Sequence, residues 1–302
     1  MIFFEDTISE KSRIEKTINE YGYAPEHNFW WYQCQAEKGS KNIFADGENG
    51  TGLLTIEEKD KGACIVFSSP IAPSPLRVAI LLQYLDCIFQ TKEIKKVTLE
   101  LEDALYKKFI SALPQSIKSR RINYTLTWPI YNLKNFDASL SGNRWKTLRK
   151  EKNKFYQSHS VSVLNAKTYE NKEVLCSIID QWRKKRGGSD RAHFLPFYNF
   201  IDSNFKGSTE SRVLVVDGKV CGINAGWMIP NSNRFYGSLG IHDYSISDLG
   251  DMLYLEDLAW LRAKGYKEAD MGGGEDALTN FKNKFKPESF YKTHVFSVAK
   301  KQ

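Results

Sequence analysis

Met271-Gly272-Gly273-Gly274-Glu275-Asp276, followed by Leu278-Thr279-Asn280-Phe281-Lys282-Asn283-Lys284-Phe285-Lys286-Pro287, is the stretch on which the fold turns. It reads as a short strand running into a glycine cluster, then a short helix with interleaved Phe and Lys, a proline and a last strand over 290–298. Two uses of that helix follow. Phe281 and Phe285, four apart, share one face and anchor a core while the lysines stay solvated. Alternatively, a lysine in this basic, aromatic setting holds a carbonyl oxygen or a phosphate.

Working outward, the second half reads as helix 142–158, strand 160–164, helix 171–186, a loop at Gly187-Gly188-Ser189-Asp190 and helix 194–205. Strands 212–216 and 220–229 flank Asp217-Gly218, a hairpin turn whose two residues both need positive φ. A strand over 234–241 leads to helix 250–264, which ends at Gly265, a residue suited to a left-handed cap. The first half has the same grammar. A helix carries Ile8, Ile14 and Ile18, and strands 51–57 and 63–69 pair around the turn 59–62. The breaker run Pro70-Ile71-Ala72-Pro73-Ser74-Pro75 opens a helix to residue 90. Strand 96–101, helix 104–113 and strand 121–127 follow. Trp128-Pro129 separates the halves, which predicts two α/β domains, 1–128 and 129–302.

With 302 residues, 41% of them hydrophobic, the chain can bury one large core or two smaller ones. A net charge of +7 favours polyanionic partners such as nucleic acid, nucleotide phosphates or an anionic membrane surface. The five cysteines are scattered without short pairing, which argues against a disulfide framework and for a reducing compartment. No Cys–His spacing suits zinc, so no metal site is expected. The acidic start Met1-Ile2-Phe3-Phe4-Glu5-Asp6 lacks the basic region of a signal peptide, and no apolar run reaches the roughly 18–20 residues of a spanning helix. A cytoplasmic protein without a transmembrane segment is expected.

Three further segments bear on chemistry. Arg144, Lys146, Arg149, Lys150, Lys152 and Lys154 crowd one helix, either as solvated stems over the core or as a face for phosphate or RNA. On that helix Arg149 and Asn153, four apart, point the same way. Arg183, Lys184, Lys185 and Arg186 end another helix, where cations either answer the helix dipole or meet a phosphate. Between residues 237 and 251 a glycine-bearing strand feeds a helix start. Ser247, Asp248 and Asp251 cap that helix, or the free N–H groups near Ser247 and Gly250 receive an anion. His242 and Asp243 are candidate acid–base groups, of which at most one faces the site. No GxSxG elbow, Walker loop or Ser–His–Asp order occurs, so direct transfer is expected over a covalent intermediate.

Gly142-Asn143-Arg144-Trp145-Lys146-Thr147-Leu148-Arg149-Lys150-Glu151-Lys152-Asn153-Lys154-Phe155 resembles a helix motif of phosphatidylglycerol lysyltransferase catalytic domains. Phe281-Lys282-Asn283-Lys284-Phe285-Lys286-Pro287 resembles their Phe–Lys signature, and Asp251-Met252-Leu253-Tyr254-Leu255-Glu256 is similar to the helix between. The resemblance spans about 129–298 and implies the Fem-like tandem GNAT (acyl-CoA N-acyltransferase-like) fold, mixed sheets flanked by helices. It implies Lys282 as the group that polarises the aminoacyl carbonyl, with Asp243 as a second catalytic residue. Arg149, Asn153, Tyr254, Gly273 and Lys286 would bind substrate, and Arg186, Ser247 and Gly250 the donor's phosphates. The implied reaction moves an aminoacyl group from aminoacyl-tRNA to an amine or hydroxyl of a small molecule, lipid headgroup or peptide, with no tightly bound cofactor. An acyl-CoA-dependent N-acyltransferase and a non-catalytic binding protein of the same fold are the alternatives. The lysyltransferases carry an arginine soon after their aspartate, whereas no Arg or Lys lies between Phe235 and Leu261 here.

Overall fold

A computed structural model of the protein describes residues 1–91, 93–186 and 193–301, so the loop expected at 187–190 lies outside the described residues. The first half contains β1 (Ile2–Phe4), α1 (Lys11–Tyr21), α2 (Phe29–Gln33), β2 (Ser40–Asp46), β3 (Gly52–Glu58) and β4 (Ala63–Val66). It continues through α3 (Arg77–Thr91), β5 (Lys96–Glu102), α4 (Asp103–Ala112), β6 (Ile117–Ser119) and β7 (Tyr124–Asn132). The second half opens with α5 (Lys146–Ser158), β8 (Val161–Asn165), α6 (Lys172–Arg186), α7 (Leu195–Asp202), β9 (Glu210–Val216) and β10 (Lys219–Met228). It closes with β11 (Arg234–His242), α8 (Leu249–Ala263), β12 (Glu268–Asp270), α9 (Asp276–Asn283) and β13 (Ser289–Lys300). Leaving out β6 and α5, each half runs strand, two helices, three strands, helix, strand, helix, strand.

All strands join one mixed sheet in the order β1-β2-β3-β4-β5-β13-β7-β12-β11-β10-β9-β8, with β6 beside β13. The order is nearly a palindrome about the β13–β7 pair. Each half contains one parallel pair, β4 with β5 and β11 with β12. The last strands are exchanged: β7 pairs with β12 of the second half, and β13 pairs with β5 of the first.

Helices cover both faces, and the strand patterns follow. In β5 alternation buries Val97, Leu99 and Leu101 in a core with Leu81, Leu85 and Ile88 of α3 and Phe109 of α4. In β9 the run Val213-Leu214-Val215-Val216 is buried on both faces, as a doubly covered strand requires. Val213 and Val215 pack with Leu175, Ile178, Ile179 and Trp182, the apolar stripe of α6. Leu214 and Val216 pack on the opposite face with Leu148 and Phe155 of α5 and Met252 of α8. Asp217 and Gly218 take φ of 51° and 79° in the β9–β10 turn, and Gly265 takes 86° after α8. Among the described residues no helix is long and apolar enough to cross a membrane.

Three expected boundaries move. The helix expected over 142–158 begins as a 3₁₀ turn at 143–145, because Gly142 has φ 85° and α5 starts only at Lys146. The helix expected over 194–205 stops at Asp202, since Asn204 and Phe205 have positive φ. The strand expected over 121–127 runs instead through Trp128-Pro129 as β7, so a cut at 128/129 falls inside a strand. Pro129 is tolerated there for a local reason. Thr127 exchanges both backbone hydrogen bonds with Gly274, and Ile130 pairs with Asp270. The proline lies between them, opposite the interrupted segment after β12, where no ladder bond is lost.

Candidate active site

β11 and β12 pair only where Arg234–Tyr236 meets Glu268–Asp270. Just beyond, β11 bulges: Gly226 pairs with Gly237 and Ala225 with Leu239, leaving Ser238 as the extra residue. On the other side the chain leaves the sheet at Met271. Gly272 turns it with φ 80°. Gly273 lies against the Trp128 indole, where a Cβ would sit 2.5 Å from Cε2, so only glycine allows the approach. Gly274 rejoins β7 at Thr127 through bonds of 2.9 and 3.0 Å. The sheet is thus pried open between β11 and β12.

α9 closes over this opening. Phe281 and Phe285 pack on Tyr254 of α8, with the Phe285 and Tyr254 rings stacked 4.2 Å apart. Tyr254 donates to the Tyr131 hydroxyl at 2.9 Å, and Tyr131 donates to the Lys282 carbonyl at 2.8 Å. Lys282 itself turns inward and is 5% exposed. Its Nζ donates to Met271 O and Gly272 O, both at 2.7 Å. Burial lowers the Lys282 pKa to about 8, with Asp270 working in the opposite direction.

Asp270, fully buried, accepts from the Tyr291 hydroxyl at 2.7 Å and the Gly272 N–H at 3.0 Å. Burial raises its carboxyl to about 6 against those two bonds and Lys282. Beyond Tyr291 lies a cavity of about 230 Å³ at the seam of the halves, with Tyr23, Glu26, Glu100, Trp128 and Tyr291 in its wall. Glu100 accepts from Thr293 Oγ1 at 2.5 Å, and Thr293 accepts from Trp128 Nε1 at 2.8 Å. His27 fastens the loop that carries Glu26. Its Nδ1 accepts from Tyr23 N at 2.9 Å, so Nε2 holds the proton given to Ser69 O at 2.7 Å. Burial lowers the His27 pKa to about 4.

The structure gathers Lys282, Gly273 and Tyr254 at one locus and disperses the rest. Gly237 O and Lys282 Nζ each lie 3.7 Å from the position of a Gly272 Cβ. Asp243 follows the end of β11, six residues beyond Gly237 and about 20 Å from it at strand rise. There it accepts from Ser245 N at 2.8 Å and sits 3.5 Å from Lys219 Nζ. Arg149 donates to Leu140 O and Gly142 O, fastening the turn before α5. Asn153, Ser247 and Lys286 are exposed, and Lys286 ends its helix with φ 56°. Gly250 packs on the His242 ring, 2.7 Å from where its Cβ would be. Arg186 lies over the Trp182 ring at the end of α6, on the sheet face opposite α5. Sequence reasoning passed over Glu26, Glu100, Asp270 and Tyr291. The available signal was Asp270 itself, an acid separated from the glycine cluster by Met271 alone.

Residues 142–286 match the family model of an acetyltransferase (GNAT) domain. No curated protein matches the chain. Among solved structures, the C-terminal domain of a putative lysylphosphatidylglycerol synthetase from Agrobacterium fabrum is similar, with TM-score 0.69 at 14% identity over 97% of this chain and 92% of that one. FemX is similar with TM-score 0.65 at 11% identity, covering 98% and 97%. A tandem GNAT protein from the clavulanic acid biosynthesis pathway gives TM-score 0.54 at 11% identity, covering 99% and 98%. Identities this low speak for the fold, and the domain match speaks for the chemistry. Residues 142–286 thus carry an acyltransferase domain of the GNAT type, and the chain shares its architecture from end to end with these solved structures.

Proposed function

We propose that the protein transfers an aminoacyl group from aminoacyl-tRNA to an amine or hydroxyl acceptor. The acceptor is a small molecule, a lipid headgroup or a peptide, and the tRNA donor places the reaction in the cytoplasm. The two units, expected at 1–128 and 129–302, meet within β7 and have their last strands exchanged. The observation that carries the choice of donor is the charge where α8 begins. An acyl-CoA would set its pyrophosphate against those N–H groups. That turn instead holds Asp243, Asp248 and Asp251, with Asp251 in the first turn of α8. Lys219 and Lys284 answer Asp243 and Asp251, which leaves a pyrophosphate no unused cation among the named groups. The carboxyl of nearby Glu151 is raised by burial and then by Asp251. An ester-linked aminoacyl donor needs no pyrophosphate there. The shared fold with a lysylphosphatidylglycerol synthetase domain supports the same choice.

Lys282 carries the chemistry in this reading. An ammonium has three donors, and Met271 O and Gly272 O take two. The third meets the oxygen of the scissile carbonyl, where negative charge develops as the acceptor attacks. The new bond forms to the carbonyl carbon, the ester C–O bond breaks, and the acceptor's proton ends on the ribose hydroxyl. Gly273 and Tyr254 fix the turn and the helix that aim Lys282, while Arg149 acts through the turn before α5. Asp243 stands too far off to touch the same carbonyl. Asn153 on α5 and Lys286 after α9 are left as contacts to the body of the donor, whereas Ser247 and Gly250 lie in the acidic turn and Arg186 on the opposite sheet face. The basic residues of α5, of the end of α6 and of α9 do not lie on one rim, because α5 and α9 share a sheet face and α6 lies on the other, so clustered charge does not argue for a tRNA donor.

The test is transfer from a mixed aminoacyl-tRNA pool to amine and hydroxyl acceptors, read by mass spectrometry, beside the same assay with acetyl-CoA. Transfer from tRNA, falling as pH rises through about 8 while Lys282 loses its proton, is the expected result. Turnover of acetyl-CoA with none from tRNA would establish the second reading, an acetyl-CoA-dependent N-acyltransferase, which the family description favours.

A further inference from the structure

The seam cavity is acidic in a chain of net charge +7. Glu26 enters it from the α1–α2 loop, Glu100 from β5, and Asp270 stands behind Tyr291. Glu100 is held by a neutral donor, Thr293, and no ion pair to Glu26 or Glu100 occurs among the described residues. The cation in the wall, Arg234, is already paired with Glu268 at 2.9 Å. Burial first, and then Glu100 and Asp270, push the Glu26 carboxyl up to about 8, so these acids feel one another. Carboxylates partly withdrawn from water without a cation are costly, and a positively charged occupant relieves that cost.

The rest of the wall says which cation. Trp128 and Tyr291 stack 5.5 Å apart at 16°, and Tyr23 and Phe67 complete an aromatic lining. Aromatic faces and carboxylates together suit an organic ammonium. No group of three His, Cys, Asp or Glu side chains among the described residues could hold a metal ion. At about 230 Å³ the space lies below the range of drug-sized ligands and matches one amino-acid-sized group.

We propose that the seam cavity is a binding site for an organic ammonium group, held between Glu26 and Glu100 against the aromatic wall of Trp128 and Tyr291. The role of that group rests on the transfer reading above, since the ammonium belongs either to the aminoacyl moiety of the donor or to an amine acceptor.

The test is calorimetric titration of the full chain with alanine methyl ester, lysine methyl ester, butylamine and 1,5-diaminopentane, with butanol and butyrate as neutral and anionic counterparts. At least one ammonium compound binds, and butanol and butyrate bind at least tenfold more weakly. Glu26→Gln and Glu100→Gln each weaken the ammonium compound tenfold or more, with melting curves checking that both variants fold. Tighter binding of the esters assigns the cavity to the donor, and tighter binding of the plain amines assigns it to the acceptor. Equal binding of butanol, or no binding by any ammonium compound, overturns the proposal using wild-type protein alone. Unchanged affinity in both folded variants overturns it as well. Aminoacyl transfer without ammonium binding would sink this inference and spare the reading, and ammonium binding without transfer would do the reverse.

Discussion

Glu102-Asp103-Ala104-Leu105 opens α4 and Glu275-Asp276-Ala277-Leu278 opens α9, in the same register, with the glutamate as N-cap in each half. Six residues after the aspartate, the first half buries Phe109 at 0% exposure and the second buries Lys282 at 5%. The difference lies just before the shared tetrapeptide. β5 runs straight into its cap at Glu102, whereas Met271–Gly274 intervene between β12 and Glu275. Those four residues supply the carbonyls that accept Lys282. A cation can occupy a core position only when such partners are buried with it. The loops that follow the other parallel strands differ too. Pro70, Pro73 and Pro75 deny N–H groups to the segment before α3, while the turn before α8 contains no proline. One frame is closed around Phe109 in the first half and opened around Lys282 in the second.

The contrast breaks most readily at Phe109. Phe109→Ala should cost about 3–5 kcal/mol of stability, read from the urea midpoint, while turnover per folded molecule stays at the wild-type level. Lys282→Ala should show the opposite balance. Turnover falls about 100- to 1000-fold, and two buried carbonyls losing their donor cost about 1–3 kcal/mol of stability. Equal turnover in the Lys282 and Phe109 variants would erase the distinction between site and scaffold.

The first half's loop at His27 sharpens it further. Folding lowers that pKa from about 6.5 to about 4, so the unfolded chain binds more protons between those values. Stability should therefore climb as pH rises from 4 to 6.5 and hold its gain above. Urea midpoints across that window, steeper in wild type than in His27→Gln, would show it. Lys284→Ala should do least. Its side chain is half exposed and pairs with Asp251 at 3.0 Å on the α8 side, away from the opened turn. The expected loss is about 1 kcal/mol or less, with turnover within twofold.

Much of this was legible in the chain itself. Period-two and helical patterns placed β5, β9, α6 and α8, and Asp217-Gly218 and Gly265 took the backbone their positions demand. The glycine cluster marked the turn, because a turn pressed against an indole admits nothing larger than Gly273. What stayed hidden depends on partners distant in sequence. Glu100 alternates with buried leucines and reads as a solvent-facing acid, yet Thr293, 193 residues away, meets it inside the seam. Asp243 and Lys282 are companions only through the resemblance, whereas Asp243 lies just past the far end of β11 and Lys282 on α9. Lys284, solvated on one of the two readings of the helix, is half exposed and also pairs with Asp251.

The exchanged strands have a consequence for how the protein is made. β5 is complete by residue 102, but its neighbour β13 spans Ser289–Lys300. During synthesis from the N-terminus, one edge of the first sheet has to wait for almost the whole chain to leave the ribosome. Pairings this remote are slow to form, and an unpaired edge offers its N–H and C=O groups to other chains meanwhile. A fragment ending at 128 should for the same reason be prone to aggregate, and adding the segment 289–300 as a separate peptide should restore its solubility. Light scattering of that fragment with and without the peptide would show whether the halves mature together or one after the other.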